Sequence, residues 1–468
     1  MSAIDTGVGM GPDRRGGWLT VVAMALATFM AMLDTTVVAL ALPVITAEFG
    51  TSPAVAEWVI LAYLVPLVGL SLPAGRWVDA IGRRTAILFA TCGFAAASIL
   101  VGLASTVLLL IAARALQGGF AAVLFATTPA VATAAVPASQ RGRAMSLITT
   151  VGPIGAVAGY AVGGLVLEHL GWSFIFFLNV PVAALVLTCV LARLPGDGGL
   201  RRPLRSHVSE AALLGSAVVL LLAGLSLSAG HGGPWTAVAA VAVIPVAIWW
   251  RSDAGRGFRS LFGTPGLAAP HVSLLAETSA FGIAMYVLPF SLQQVQGMPS
   301  ATAGLVLLAL PAATIVASPV GGLMSDRFGA RPVAVGGAIA LSLALAVTSP
   351  ISSLWSAVDM IWRLALIGAA AGLFAGANQT MSMTAAPPHL LASAGASTSL
   401  ARQLGFAVGP ALATAVWAAA DYRGAGITNA LVLATAASLI AAAAGRAGSG
   451  SRPDRFHNNR VNAERRRA

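Results

Sequence analysis

Apolar positions along this chain come in long unbroken runs, not with a period of 2 or 3.6 residues. Polar, Arg-bearing stretches separate them. A run of about 20 apolar residues matches the hydrocarbon thickness of a bilayer, so each reads as a membrane-spanning helix. Runs lie near 18–42, 57–74, 85–105, 107–131, 144–166 and 173–193, then 211–230 and 234–250, then 269–292, 302–323, 332–349, 356–379, 393–419 and 426–444. Six plus two plus six gives fourteen. The first run exceeds the 7–15 residues of a cleaved signal core and so reads as a retained span. The expected architecture is all-α and integral to the membrane. A polar tail covers 1–16 and a first six-helix bundle 17–193. A linker with two additional helices covers 194–268, a second six-helix bundle 269–444 and a basic tail 445–468.

The loops orient the runs. Arg83/Arg84, Arg141/Arg143, Arg201/Arg202/Arg205, Arg251/Arg256/Arg259 and Arg327/Arg331 fall on one side with Arg14/Arg15, and Arg423 is the clear exception. By the positive-inside rule both termini are cytoplasmic in a multi-pass cell-membrane protein, and an odd span count would break the alternation.

Composition sharpens the class. The chain has 468 residues, 57% hydrophobic and only 9% charged, against roughly 25% charged in soluble domains. Lipid must therefore serve as its solvent. All 27 basic residues are Arg, and the net charge of +11 is scattered between apolar runs, which argues against nucleic acid as a partner. Cys92 and Cys189 lie inside apolar runs and read as buried free thiols. The six His residues show no metal-ligand spacing. No GxxxxGK[ST] loop and no nucleophile–base pair is legible, so neither ATP, a metal, another cofactor nor enzyme chemistry is expected.

One polar stretch occurs twice. Gly75, Asp79, Gly82 and Arg84 follow a Gly-x3-Asp-x2-Gly-x-Arg spacing, which returns at Gly322, Asp326, Gly329 and Arg331. Such a repeat implies two related halves, a hallmark of secondary transporters.

At these residues the chain resembles the major facilitator superfamily, and within it the fourteen-span drug:proton antiporters. The loop from Gly75 to Arg84 is similar to the signature between spans two and three, with Trp77 where Leu is usual and Ala80 where a basic residue is common. Leu33 to Pro43 resembles the first-span motif, with Ala39 where Asn is frequent. Arg114-Ala115-Leu116-Gln117-Gly118 matches the fourth-span motif. Gly155, Gly159, Gly163 and Gly164 follow the fifth-span antiporter motif, but Tyr160 replaces its Pro. Trp172 through Pro181 resembles the start of span six. The resemblance implies two six-helix bundles plus two central helices, working by alternating access. It also implies proton-coupled export of amphipathic drug or antibiotic molecules.

The residues themselves suggest roles. Asp34 sits within an apolar run, where a charge costs roughly 2.5–3.5 kcal/mol and needs a polar interior. A carboxylate that gains and loses a cationic partner can take up and release a proton; a fixed ion pair is the alternative. Arg114, at a matching depth, is the expected partner, and the family implicates its fourth-span Arg in proton transfer. Glu277 is a second proton-coupling candidate or a snorkelling interface residue. Asp79 and Asp326, with Gly75, Gly82, Arg83, Arg84, Gly322, Gly329 and Arg331, are expected to gate. Asp359 and Arg363, four apart, are expected to pair structurally. Gly155, Gly159 and Gly163 recur every fourth residue, so another helix can approach closely. Gln117, Phe281, Tyr286 and Asn378 are expected to line a cargo cavity. The expected partners are a small molecule, protons and the bilayer, and a monomer is expected. A metabolite symporter or uniporter of the same fold, or a non-transporting membrane sensor, remain as alternatives.

Overall fold

A computed structural model describes residues 14–447, apart from 198, 232–233, 265 and 388–390; the side chains of 14–16, 79, 138, 229–231, 234, 257 and 391–393 are likewise not described. Most of the expected N-terminal tail and all but 445–447 of the expected basic tail therefore lie outside the described residues.

Every predicted run coincides with a helix. In chain order they are α1 (Arg14–Glu48), α2 (Pro53–Ile81), α3 (Arg83–Gly102), α4 (Val107–Ala134), α5 (Arg141–Leu170) and α6 (Trp172–Arg193). Then come α7 (Arg205–His231), α8 (Trp235–Arg251), α9 (Ala268–Val295), α10 (Ser300–Phe328) and α11 (Ala330–Thr348). The last are α12 (Ala357–Ala385), α13 (Leu391–Ala418) and α14 (Gly424–Ala447). Among the described residues, 12 helices are long and apolar enough to cross a membrane; α8 is a shorter apolar helix and α13 is a 28-residue helix carrying Arg402 and Gln403.

Local chemistry sets the helix ends. Ser52 and Thr106 cap α2 and α4 by accepting from the backbone of Val55 and Leu109, at 3.4 and 3.2 Å. Ser356 and Asp359 form a reciprocal capping box at the start of α12. Gly82 and Gly329, each with φ of +89°, make the sharp turns from α2 to α3 and from α10 to α11. An L side chain rarely adopts that backbone conformation, which gives the duplicated glycines a physical reason.

The chain divides into two compact units: 1–215 with 299–308, and 216–298 with 309–468. In the first, α1 packs on α5 and α2 on α4; in the second, α9 packs on α13 and α10 on α12. Glycines set both kinds of contact. Any Cβ on Gly159 of α5 would collide with Thr36 Oγ1 and crowd the Leu33 carbonyl of α1. Gly405 of α13 meets Thr278 Oγ1 and the Leu275 carbonyl of α9 in the same way. Gly118 of α4 sits on the Tyr63 backbone of α2, as Gly368 of α12 sits on the Leu310 backbone of α10. The internal repeat of the sequence is thus also a repeat of packing within each unit.

Large apolar side chains such as Leu108, Val316 and Leu323 are more than 70% exposed, as lipid contact requires. The same logic corrects one expectation: both thiols are free, but Cys92 is exposed and Cys189 only half-buried. An apolar run fixes neither which helix face meets protein nor which meets lipid.

Candidate functional site

Five helices of the first unit converge on Asp34. Its carboxylate is 2% exposed. Arg114 Nη1 of α4 donates to Oδ2 at 2.6 Å. Oδ1 accepts from Gln117 Nε2 of α4 and from Asn179 Nδ2 of α6, each at 2.9 Å. Both amides also donate to Ser98 Oγ of α3, at 2.8 and 3.2 Å. Ser98 Oγ in turn donates to the Phe94 carbonyl at 2.8 Å.

Arg114 is held as firmly as the acid. Its Nε donates to the Val59 carbonyl of α2 at 3.0 Å, and Nη1 also reaches Gln117 Oε1 at 2.5 Å. The guanidinium lies 4.4 Å from the Tyr63 ring centre and 5.8 Å from that of Phe176, within cation–π range. The geometry suits an ionised carboxylate, since every polar contact on Asp34 is a donor. A bound proton would turn one oxygen into a donor facing Arg114, which has no acceptor.

Asp34 and Arg114 are therefore brought together as the sequence reading expected. Gln117, expected to face cargo, is wholly buried and bonded to Asp34. Its spacing of three residues from Arg114 on one helix face was the available clue. Asn179 and Ser98 had no assigned role. Only Asn179 carried a signal, as a polar residue in the Phe-Leu-Asn-Val-Pro stretch. Glu57 is a further wholly buried carboxyl, near the start of α2, that the sequence reading passed over.

Glu277 is the one acid on α9 and is 4% exposed, and α9 packs on α13, the helix that carries Arg402. One turn along, Phe281 meets Phe406 edge to face at 6.1 Å, so acid and ring on α9 run beside cation and ring on α13. Tyr286 is buried with Phe290 and Trp417, at centroid distances of 5.6 and 6.5 Å. Asn378 is wholly buried, and neither of its amide atoms has a hydrogen-bond partner. Phe281, Tyr286 and Asn378 all lie in the second unit.

The antiporter-motif helix α5 is packed on two sides. Gly155, Gly159 and Gly163 face α1 at Phe29, Thr36 and Val37. Gly164 faces the start of α10, where a Cβ would lie 2.9 Å from the Ser300 carbonyl. Gly304 of α10 in turn meets the Tyr160 backbone, and Tyr160 is fully buried. Glu168 closes this contact by accepting from the Ala301 amide at 2.7 Å.

At the duplicated loops, the Asp79 side chain lies outside the described residues. Asp197, from the α6–α7 linker, caps the N-terminus of α3: it accepts from the amides of Arg84 and Thr85 at 2.6 and 3.0 Å and from Thr85 Oγ1 at 2.6 Å. Partial burial disfavours its charge, but these hydrogen bonds outweigh that and hold the Asp197 carboxyl below the ordinary carboxylate range. A side chain on Gly82 would collide with it. Gly75 and Gly322 have no atom near enough to meet a Cβ, and Arg83 and Asp326 are exposed. Arg331 donates to the carbonyls of Gly445 and Arg446 at 2.9 and 3.0 Å, at the end of α14. Among the described residues no group of three or more His, Cys, Asp or Glu could hold a metal.

Comparison with known proteins sets this geometry in a family. The sequence model of the Major Facilitator Superfamily matches residues 24–269 and 271–464. The chain is 28% identical over 407 residues to the tetracenomycin C resistance and export protein of Streptomyces glaucescens, covering 84% of this chain and 75% of that protein. It is 23% identical over 403 residues to the riboflavin transporter RibZ of Clostridioides difficile, covering 86% and 88%. Its fold resembles a bacterial homologue of the human lysosomal transporter Spinster, solved inward-facing and unoccupied, with a TM-score of 0.69, 16% identity and 93% and 98% coverage. Family and relatives alike are transporters, not enzymes. The chain belongs to the Major Facilitator Superfamily.

Proposed function

We propose that this transporter exports amphipathic drug-like or antibiotic molecules across the cell membrane in exchange for inward-moving protons. The observation that carries the reading is the buried Asp34–Arg114 pair with its two amide donors. An acid this deep is tolerated when a cation and hydrogen bonds hold it, and it changes partners when it is neutralised. Protonation removes the charge that holds Arg114 and leaves a hydroxyl that Gln117 or Asn179 can accept only by turning their amides. Proton binding thereby loosens the joint between α1, α4 and α6, and proton release remakes it. Binding and release at opposite faces would then couple the gradient to alternating access.

Glu277 with Arg402 is the proposed second ionisable site. Gln117, Phe281, Tyr286 and Asn378 remain proposed cargo contacts, and the glycines, Arg83, Arg84, Arg331 and the acids of the duplicated loops the proposed gate. The Arg-rich loops support a cytoplasmic placement of both termini. The reading requires no cofactor, and a single copy suffices. The Streptomyces relative, named a resistance and export protein, supports efflux as the direction.

A second reading, carriage of a metabolite, draws on the relative named a riboflavin transporter and on Tyr160 where antiporters of this kind carry Pro. Proteoliposomes with an imposed pH gradient separate the two. Efflux of a cationic dye that follows the gradient, and stops in Asp34→Asn, supports the first. Dye efflux indifferent to the gradient rejects proton coupling. A gradient-driven flux of flavin but not of dye favours the second.

A further inference from the structure

The linker between α6 and α7 walls a cavity that proton coupling does not use. It measures about 780 Å³ and lies wholly within the first unit. Its floor is α2 from Pro66 to Trp77 and α4 from Ala115 to Val123, and its roof is the linker with the first turns of α7. The walls are almost entirely apolar. The exposed side chains of Leu116 and Val208 open it to hydrocarbon.

The linker is fastened in place by three contacts. Asp197 caps α3. Trp77 Nε1 donates to the Arg201 carbonyl at 2.9 Å. Arg76 pairs with Glu210, which is 3% exposed, on the first turns of α7. These hold two exposed guanidiniums, Arg201 and Arg202, in the cavity wall. The same wall carries His207, whose Nδ1 is shut off from solvent and has no hydrogen-bond partner. No carboxylate lines the cavity among the described residues.

We infer that this cavity is a binding site for one anionic phospholipid. An acyl chain fills the furrow along α2, whose stretch from Pro66 to Trp77 spans roughly 16 Å at 1.5 Å per residue, about one leaflet of hydrocarbon. The phosphate meets Arg201 and Arg202 at the loop end, as basic residues at a membrane surface attract anionic headgroups. A cationic cargo molecule fits poorly here, because two fixed positive charges and no acid face it. The site stands apart from the transport reading and does not depend on it.

Native mass spectrometry of the purified full-length protein tests this, with phosphatidylglycerol and phosphatidylcholine of matched acyl chains as probes. One phosphatidylglycerol should be retained preferentially. Arg201→Gln with Arg202→Gln should weaken that retention roughly tenfold or more, at a few-fold per basic residue, and leave phosphatidylcholine unchanged. Gly119→Leu should also expel the lipid, because a Cβ there meets only Leu70 Cδ1 at 3.7 Å and the longer side chain enters the furrow without a backbone clash. Equal retention of the two lipids by the unsubstituted protein overturns the proposal. So does undiminished phosphatidylglycerol in both variants, or displacement of the lipid by a cationic dye.

Discussion

The two units share a packing plan and differ in where they put charge. The glycine contacts give the register. Gly118 on Tyr63 and Gly368 on Leu310 align α4 with α12, so the position matching Arg114 is Leu364, which is fully buried. Arg363 precedes it by one residue, turned about 100° around the helix. It faces Trp355 and Trp362 at 3.8 and 4.2 Å and pairs with the half-exposed Asp359 at 3.8 Å. Thr36 and Thr278, each under its glycine, align α1 with α9. The acid again shifts by one: Asp34 matches Ala276, and Glu277 matches Thr35. One residue of slip therefore leaves the second unit with an Arg brace on α12 and an acid on α9 beside α13. The fold was duplicated, but the five-residue polar network was not.

Substitutions can break this contrast. The largest effect is expected at Arg114. Arg114→Leu strands Asp34 as an unpaired buried charge and should cost about 3–5 kcal/mol, read as a large loss of thermal stability in detergent. Arg363→Leu should cost about 1 kcal/mol or less. Similar losses at both sites would mean the two pairs are equivalent after all.

Asp34→Asn keeps the shape and removes the titrating group, but it leaves the buried Arg114 without its counter-charge, so it too should cost about 3–5 kcal/mol of stability. In the protein that remains folded, gradient-driven efflux should fall about tenfold or more, equivalent to at least about 1.4 kcal/mol. Glu277→Gln should leave some coupling if the first unit carries the main site. An Asn variant with full coupling and a Gln variant with none would reverse the assignment.

Gly159→Leu and Gly405→Leu should each cost about 1–3 kcal/mol by forcing apart helices already in backbone contact. Matching melting shifts would confirm a shared packing plan, whereas a shift at only one would end it.

Smaller effects are expected at the duplicated loops. Asp197→Asn weakens the cap on α3, at about 1 kcal/mol. Because the folded carboxyl titrates below its unfolded value, its contribution is fully present above about pH 4 and drains away as pH falls through the lower folded value. Melting curves of the two proteins should therefore converge in acid. Arg331→Gln removes a cation from the carbonyl end of α14, a loss of about 0.3–1 kcal/mol that salt should diminish. An equal loss in high salt would point to packing instead.

Much of this was legible from residues alone. Helix positions followed from run length, because lipid imposes one solution on an apolar run of about 20 residues. Asp34 and Arg114 stood out because charge in such runs is rare. Helix faces were harder: Cys92 looked buried, because a fully apolar helix has no polar side to orient it. Asp197 was invisible for a different reason. Its partners lie 112 and 113 residues away, and nothing in a Pro-Gly-Asp-Gly-Gly linker says which helix end it will meet.

That linker also tells where the polypeptide can be divided. Asp197, Arg201 and Glu210 are all sewn to the first unit. Two co-expressed fragments split directly after α6 would tear those stitches from their own half. Fragments divided beyond the opening turns of α7 would keep them, and so have the better chance of reassembling into a working carrier.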